Sequence, residues 1–335
     1  MLKVISLFSG VGGIDLPFER RGCKIVFAND FDANAIATYN ENFKDKATFA
    51  DITKLDVNTI PYGDILIGGF PCQPFSVAGY RKGFEDTRGT LFFNVANILK
   101  EKKPKVVMLE NVKNLVSHDD GNTFQVILKT LKDLGYHVKH AVLNACEYGN
   151  MPQNRERIYI VGFLDEDSYK NFNFPDPIPL SKTLFNVIDF ENKVADKYYY
   201  TKSKYPKIIK AFDKVGPEVG VVYQWRRVYV RSNKSGCVPC LTANMGTGGH
   251  NVPLVYTKYG LRKLTPKECF NVQGFPSDYK LPDISDSHLY KQAGNSVCVG
   301  VIDRIVENIM SAINHEIWNG TFPEPSNELI YWLNN

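Results

Sequence analysis

Apolar runs at residues 3–8, 24–29, 64–68, 105–109 and 156–163 punctuate the first half of the chain, each of a length that suits a buried strand. Between them, 33–43, 91–100 and 123–134 space their apolar residues three and four apart, the repeat of a helix with one buried face. Strand and helix therefore alternate. Such alternation predicts an α/β fold, a doubly wound and mostly parallel sheet with helices on both faces. Ligands of such sheets bind beyond the carboxyl ends of the strands, so chemistry is expected in the loops that follow them. The alternation stops at Phe174-Pro175-Asp176-Pro177-Ile178-Pro179, where repeated prolines fix φ and remove backbone donors. Short β-like pieces follow at 219–223 and 228–231, and helical spacing returns at 299–313. A second, smaller domain is expected between.

With 335 residues, 44% of them hydrophobic, the chain can bury one large core and a smaller one. No apolar stretch approaches the roughly 20 residues of a membrane span, and the opening apolar run is too short for a signal peptide. A cytoplasmic protein away from membranes is expected. Seven scattered cysteines form no disulfide framework, in keeping with a reducing compartment. The net charge of +4 is unevenly spread. Between Lys197 and Lys234 stand ten Lys or Arg against Asp213 and Glu218, so this stretch carries +8 and the remainder about −4. A basic segment on a near-neutral body points to a polyanion.

The loop Phe8-Ser9-Gly10-Val11-Gly12-Gly13 follows the first strand, where glycines let backbone approach a ligand. A dinucleotide fingerprint needs a third glycine where Asp15 stands. Asp30 after the second strand can accept from two ribose hydroxyls, Phe31 can face a purine, and Asp51 can take a purine amino group. Together they describe an adenosine whose other end carries no phosphate; a tight turn beside solvated acids is the alternative. Cys72, in Gly69-Phe70-Pro71-Cys72-Gln73-Pro74, is held between prolines at the ligand-bearing edge of the sheet. Glu110 reaches the same edge after the strand at 105–109. In Gln153-Asn154-Arg155-Glu156-Arg157 a pleated backbone sends Gln153, Arg155 and Arg157 to one side.

In these blocks, and in Arg88 to Phe92, Arg262 to Pro276 and Gly294-Asn295-Ser296-Val297, the chain resembles the cytosine-C5 DNA methyltransferases, especially the compact bacterial enzymes of restriction-modification systems. The resemblance covers nearly the whole length. It implies S-adenosylmethionine as methyl donor, bound by Phe8, Gly10, Gly12, Gly13, Asp30, Phe31, Asp51 and Asn295, with no metal. It makes Cys72 the nucleophile, sets Glu110 on cytosine N3 and its amino group and Arg157 on the base carbonyl, and gives Arg155 the support of the cysteine loop. Residues 76–90, with Gly79, Gly83 and Gly89, resemble a loop that closes over DNA. The implied organisation is a catalytic and cofactor-binding domain from 1–184 plus 292–335, a target-recognition domain at 185–265 and a hinge at 266–291. Double-stranded DNA is the expected partner of a monomer, with a cognate restriction endonuclease in the same system.

The chemistry gives these residue types their own reason. A thiolate added to carbon 6 of cytosine, with a proton shared at N3, makes carbon 5 nucleophilic, and a thiolate can leave again. A carboxyl that shares a proton near neutral pH needs partial burial to raise its pKa. No side chain is an evident base for the carbon 5 proton. Because the reacting atoms lie inside the base stack, the cytosine must be flipped out. The basic segment can grip phosphates, while Gln224, Arg226, Arg227 and Arg231 fit base edges, Gln224 filling the gap left by the flipped base. Cys240-Leu241-Thr242 resembles the family's Thr-Leu turn at the end of the recognition region, with cysteine where threonine is expected and Thr242 close to DNA. Cys237 and Cys240 have zinc-like spacing without a second pair. Rival readings are a nicotinamide oxidoreductase, a catalytically idle DNA-binding protein and a transfer RNA cytosine-C5 methyltransferase.

Overall fold

The computed structural model describes residues 1–71, 91–247 and 251–314. Cys72, the loop expected at 76–90 and residues 315–335 lie outside them. The main sheet contains β1 (Lys3–Leu7), β2 (Lys24–Asp30), β3 (Thr48–Phe49), β4 (Ile65–Gly68), β5 (Val106–Val112), β6 (His137–Asn144) and β8 (Glu156–Phe163), in the order β3-β2-β1-β4-β5-β8-β6. The chain leaves β1 toward β2 on one side, and β4 lies on the other. That reversal of strand order opens a crevice at the carboxyl end of β1.

Alternate residues of the strands feed two separate cores. Val4, Ile65, Ile67, Val106 and Met108 pack on one face with Phe18, Ile36 and Tyr39 from the helices Asp15–Arg20 and Ala33–Asn42, and with Ile302, Ile305 and Ile309 from the helix Val299–Asn314. Ile5, Leu7, Leu66, Val107 and Leu109 face the helices Leu91–Lys102 and Asn122–Asp133, which contribute Val95, Leu99, Ile127 and Leu131. The helix Val299–Asn314 is tied back by Arg21 to Asp303 at 2.6 Å and by Arg304, which donates to the carbonyls of Tyr148 and Asp176.

The sheet is mostly parallel, as expected, and carries two features that the sequence does not announce. Strand β8 runs antiparallel to both neighbours, and β6, whose sequence reads as no strand, forms an edge beside it. Strand β6 leaves His137, His140 and Val142 exposed and buries only Leu143, which suits an edge open to water.

A four-stranded antiparallel sheet follows: β9 (Val222–Trp225), β10 (Val230–Asn233), β12 (Leu254–Thr257) and β13 (Gly260–Lys263), in the order β10-β9-β12-β13. The helix Pro206–Asp213 covers it through Ile208 and Phe212 against Tyr223, Val230, Leu254 and Leu261. The first two strands start two to three residues later than the β-like pieces suggested. Gly216 and Gly220, at φ 85° and 81°, keep the approach to Val222 irregular, and the turn between the strands takes up Val228. Between β10 and β12 the chain leaves this sheet, and β11 (Val238–Pro239) pairs in parallel with β7 (Gln153–Asn154) beside the main sheet. From β13, Arg262 makes a two-pronged bond to Glu268 of the helix Pro266–Val272, at 2.8 and 2.7 Å, with both side chains buried. Among the described residues, no helix is long and apolar enough to cross a membrane.

Candidate active site

The loop after β1 forms one wall of a cavity of about 590 Å³ at the carboxyl ends of the strands. Phe8 adopts φ 54°, uncommon for a residue with a side chain, and Gly10 follows at the same value. The backbone N–H of Gly10 donates to Asp30 Oδ2 at 2.8 Å, while Oδ1 accepts from Asp32 N at 2.8 Å. Burial raises the pKa of Asp30, and these backbone donors oppose it. Phe31, 69% exposed, stacks with Phe49 at 6.0 Å between ring centroids and lines the cavity. Asp51 accepts from both the N–H and the hydroxyl of Thr53, which hold its carboxyl below the usual range. Gly12 does not line the cavity; at φ 75° a Cβ there would stand 2.2 Å from the Phe43 ring. Gly13 does line it, and a Cβ would stand 2.8 Å from Ser296 Oγ.

The opposite wall comes from far along the chain. Lys291, Gln292, Asn295, Ser296 and Val297 line the cavity, and Lys291 reaches across to Asp32 at 2.8 Å. Thr38 donates to Gln292 Oε1 at 2.8 Å. Asp32, which also caps the helix Ala33–Asn42, and Lys291 carry no local motif and escape a reading of the sequence.

At the other end of the same cavity, β5 delivers Glu110, buried and paired with Arg157 Nε at 3.1 Å. Burial raises the Glu110 pKa, and Arg157 and then Arg155 pull it back. Asn111 donates to the carbonyl of Phe70 at 2.8 Å, which fixes the chain two residues before position 72. Arg155 is only 2% exposed and donates to the carbonyls of Leu241, Gly294 and Ser296. Burial and the neighbouring Arg157 lower its pKa. Its described partners therefore belong to the segment after β11 and to the far wall of the cavity. Gln153, also buried, donates to Gln273 and accepts from Leu241 N. Among the described residues no cluster of three His, Cys, Asp or Glu is gathered as for a metal.

Gln224, Arg226, Arg227, Arg231 and Thr242 do not line the cavity. Gln224 and Arg231 stand opposite each other on β9 and β10. Arg226 and Arg227 occupy the exposed turn between them, Arg227 at φ 64°. Thr242 is exposed, and its carbonyl lies so close to Gly294 that a Cβ there would come within 2.3 Å.

Comparison with known proteins agrees with this layout. The family model for C-5 cytosine-specific DNA methylase matches residues 2–311. The chain is 56% identical over 315 residues to the Type II methyltransferase M.Bsp6I of Bacillus sp. (strain RFL6), covering 93% of this chain and 100% of the relative. It is 42% identical over 324 residues to M.HhaI of Haemophilus parahaemolyticus, covering 93% and 95%. The solved structure of Spodoptera frugiperda DNMT2 superposes with a TM-score of 0.72 at 22% identity, over 92% of this chain and 100% of that one. That of S. pombe Dnmt2 gives 0.70 at 19%, over 93% and 99%, and both speak to the fold.

Proposed function

The chain belongs to the C-5 cytosine-specific DNA methylases and is a sequence-specific enzyme that works through a catalytic cysteine, and from that premise we propose that Cys72 is this cysteine and that Glu110 and Arg157 hold the target base. The observation that carries the reading is the buried Glu110–Arg157 pair at the end of the cavity next to Phe70 and Pro71. A target cytosine in double-stranded DNA must leave its stack to reach that depth, at a cost of a few kcal/mol.

The Cys72 thiolate adds to carbon 6, and the electron pair of the 5,6 double bond moves into the ring. Glu110, with its pKa raised, holds the proton that N3 shares, so that carbon 5 becomes electron-rich rather than the ring anionic. Arg157 orients the carboxyl and the base carbonyl through its fixed planar fork. When carbon 5 has lost its proton, the electron pair of that C–H bond restores the double bond and the thiolate leaves. Arg155 fixes the floor of the site by joining Leu241 to Gly294 and Ser296.

The fold is that of S-adenosylmethionine-dependent methyltransferases, and the donor set fits that cofactor. Both Asp30 oxygens are engaged by backbone N–H groups yet keep acceptor capacity toward the cavity, as a ribose requires. Phe31 offers an exposed ring face, Asp51 an ionised acceptor, and Phe8, Gly10, Gly13 and Asn295 the remaining wall. When bound, S-adenosylmethionine supplies the methyl group for carbon 5. Gln224, Arg226, Arg227, Arg231 and Thr242 read or grip the duplex, with domain limits at 1–184 plus 292–335, 185–265 and 266–291. Relatives named as Type II methyltransferases support a role beside a restriction endonuclease.

Labelled S-adenosylmethionine and assorted duplexes, followed by bisulfite sequencing, test the reaction and its target together. A verified target duplex carrying 5-fluorocytosine should become covalently linked to Cys72. Methylated duplex without any such linkage would remove Cys72 from its role.

A further inference from the structure

Cys240 stands where the resemblance expects a threonine, just after β11. Its sulfur lies 3.4 Å from Arg155 Nη1, 3.8 Å from Arg157 Nη2 and 3.5 Å from the carbonyl oxygen of Leu241. A thiol has one weak proton to give and a large sulfur that accepts weakly. Here the proton goes to Leu241, and the sulfur faces two guanidinium groups that repel each other. Arg155 does not depend on that sulfur, since three carbonyls also hold it, although its buried Nε has no acceptor. Arg157 is held more sparsely. Among the described residues its polar partners are Glu110, the carbonyl of Glu156 and Cys240. Of these, Cys240 alone comes from the excursion that leaves the recognition sheet between β10 and β12.

We propose that Cys240 is a positioning residue for methyl transfer, its sulfur keeping the Arg157 guanidinium where Nε reaches Glu110, so that the excursion from the recognition sheet sets the geometry of the base-holding pair. The proposal rests on the reading of Glu110 and Arg157 given above. Without the sulfur, Arg157 is free to turn toward Glu156 and solvent. Glu110 faces Arg157 and Arg155 and stands opposite Tyr159 on β8, and once Arg157 swings away the effect of burial is less opposed. The Glu110 proton is then held more tightly. The alkaline limb of kcat/KM, set by deprotonation of Glu110 in the free enzyme, moves to higher pH.

The experiment compares Cys240→Ala, Cys240→Ser and Glu110→Gln with the native enzyme in kcat, both KM values, pH profile and melting temperature. Depriving Arg157 of a charge-assisted hydrogen-bond partner should lower kcat in Cys240→Ala by about three- to tenfold. The cofactor KM should stay unchanged and the alkaline limb should move upward. Serine, which keeps one donor and an acceptor, should restore most of both. Native kcat and an unmoved limb in Cys240→Ala would overturn the proposal. So would a loss that serine does not repair while the limb stays in place, since that marks a packing role. Glu110→Gln separates the two layers: inactivity beside a native-like Cys240→Ala sinks only the proposal, whereas native activity in Glu110→Gln sinks the base-holding reading and the proposal with it. Should the alanine variant fail to fold, the serine variant carries the test, with native activity supporting the proposal and a tenfold or larger loss opposing it.

Discussion

Asp15 sits in the first turn of the helix Asp15–Arg20 with its carboxyl fully buried, where it accepts from the hydroxyl of Tyr39 at 3.1 Å. Burial pushes its pKa up to about 7, against 3.8 for a free aspartate. The folded state therefore holds a proton that the unfolded chain releases, so the contribution of this one group to stability is whole below the lower value, falls as pH rises between the two and is gone above the upper one. Replacing Asp15 with Asn keeps the acceptor for Tyr39 and removes the titration. The variant should gain on the native protein from pH 4 to 7, by up to about 4 kcal/mol at pH 8. Urea midpoints at pH 5 and pH 8 measure this; a difference that stays constant between them would show that Asp15 does not titrate on unfolding. Gly12 offers a second test at this scale. Gly12→Ala drives a methyl into the Phe43 ring at a positive φ and should cost about 1–3 kcal/mol of backbone and packing strain. Isothermal titration with S-adenosylmethionine should show weakened binding, because the same loop carries Gly10 and Gly13 into the cavity wall. Residues whose neighbours announce them, such as Glu110 at a strand end, are legible from sequence. Asp32 and Lys291 are not, because each is ordinary until the fold brings it to a partner 259 residues away.

Element order is easier to read than element direction. Strands buried on both faces, such as β4 and β5, stand out as continuous apolar runs. A run of the same kind at β8 gives no sign of its orientation, which depends on the connection through β6 and on pairing with β5. The recognition sheet is legible only as β-like composition, since the start of its strands is set by glycines at positive φ and by an irregular turn. At the exit from that sheet, Glu268 does three jobs. It completes the capping box with Thr265, accepts from Asp189 N and neutralises buried Arg262. Removing one partner of a buried ion pair strands the other, so Glu268→Ala should destabilise by about 3–5 kcal/mol. Chemical unfolding reads this, and a loss under about 1 kcal/mol would mean that Arg262 finds water instead.

Over the whole molecule the surplus of positive charge between Lys197 and Lys234 is partly spent internally. Lys197 pairs with Asp286 at 2.8 Å and Lys234 lies 3.7 Å from Glu218. Arg226 and Arg227 have no such acidic partner among the described residues, and their turn projects from the sheet. Replacing both with Ala should weaken duplex binding and flatten its dependence on salt, by about 0.9 in the log–log slope for each phosphate that is no longer neutralised. Where an arginine reads a base, discrimination at that position should relax by about 1–3 kcal/mol. Binding isotherms across a salt series, on target and unrelated duplexes, separate the two. An unchanged slope with unchanged discrimination would move recognition away from this turn.

The wall supplied by Lys291, Gln292, Asn295, Ser296 and Val297 sets a schedule for biosynthesis. A growing polypeptide that has emerged only through β5 already carries the glycine loop, Asp30 and Glu110, yet has no pocket to close around a ligand. Premature stop codons anywhere before that wall should therefore yield chains that leave the genome unmarked, and competence should arrive in a single late step of translation.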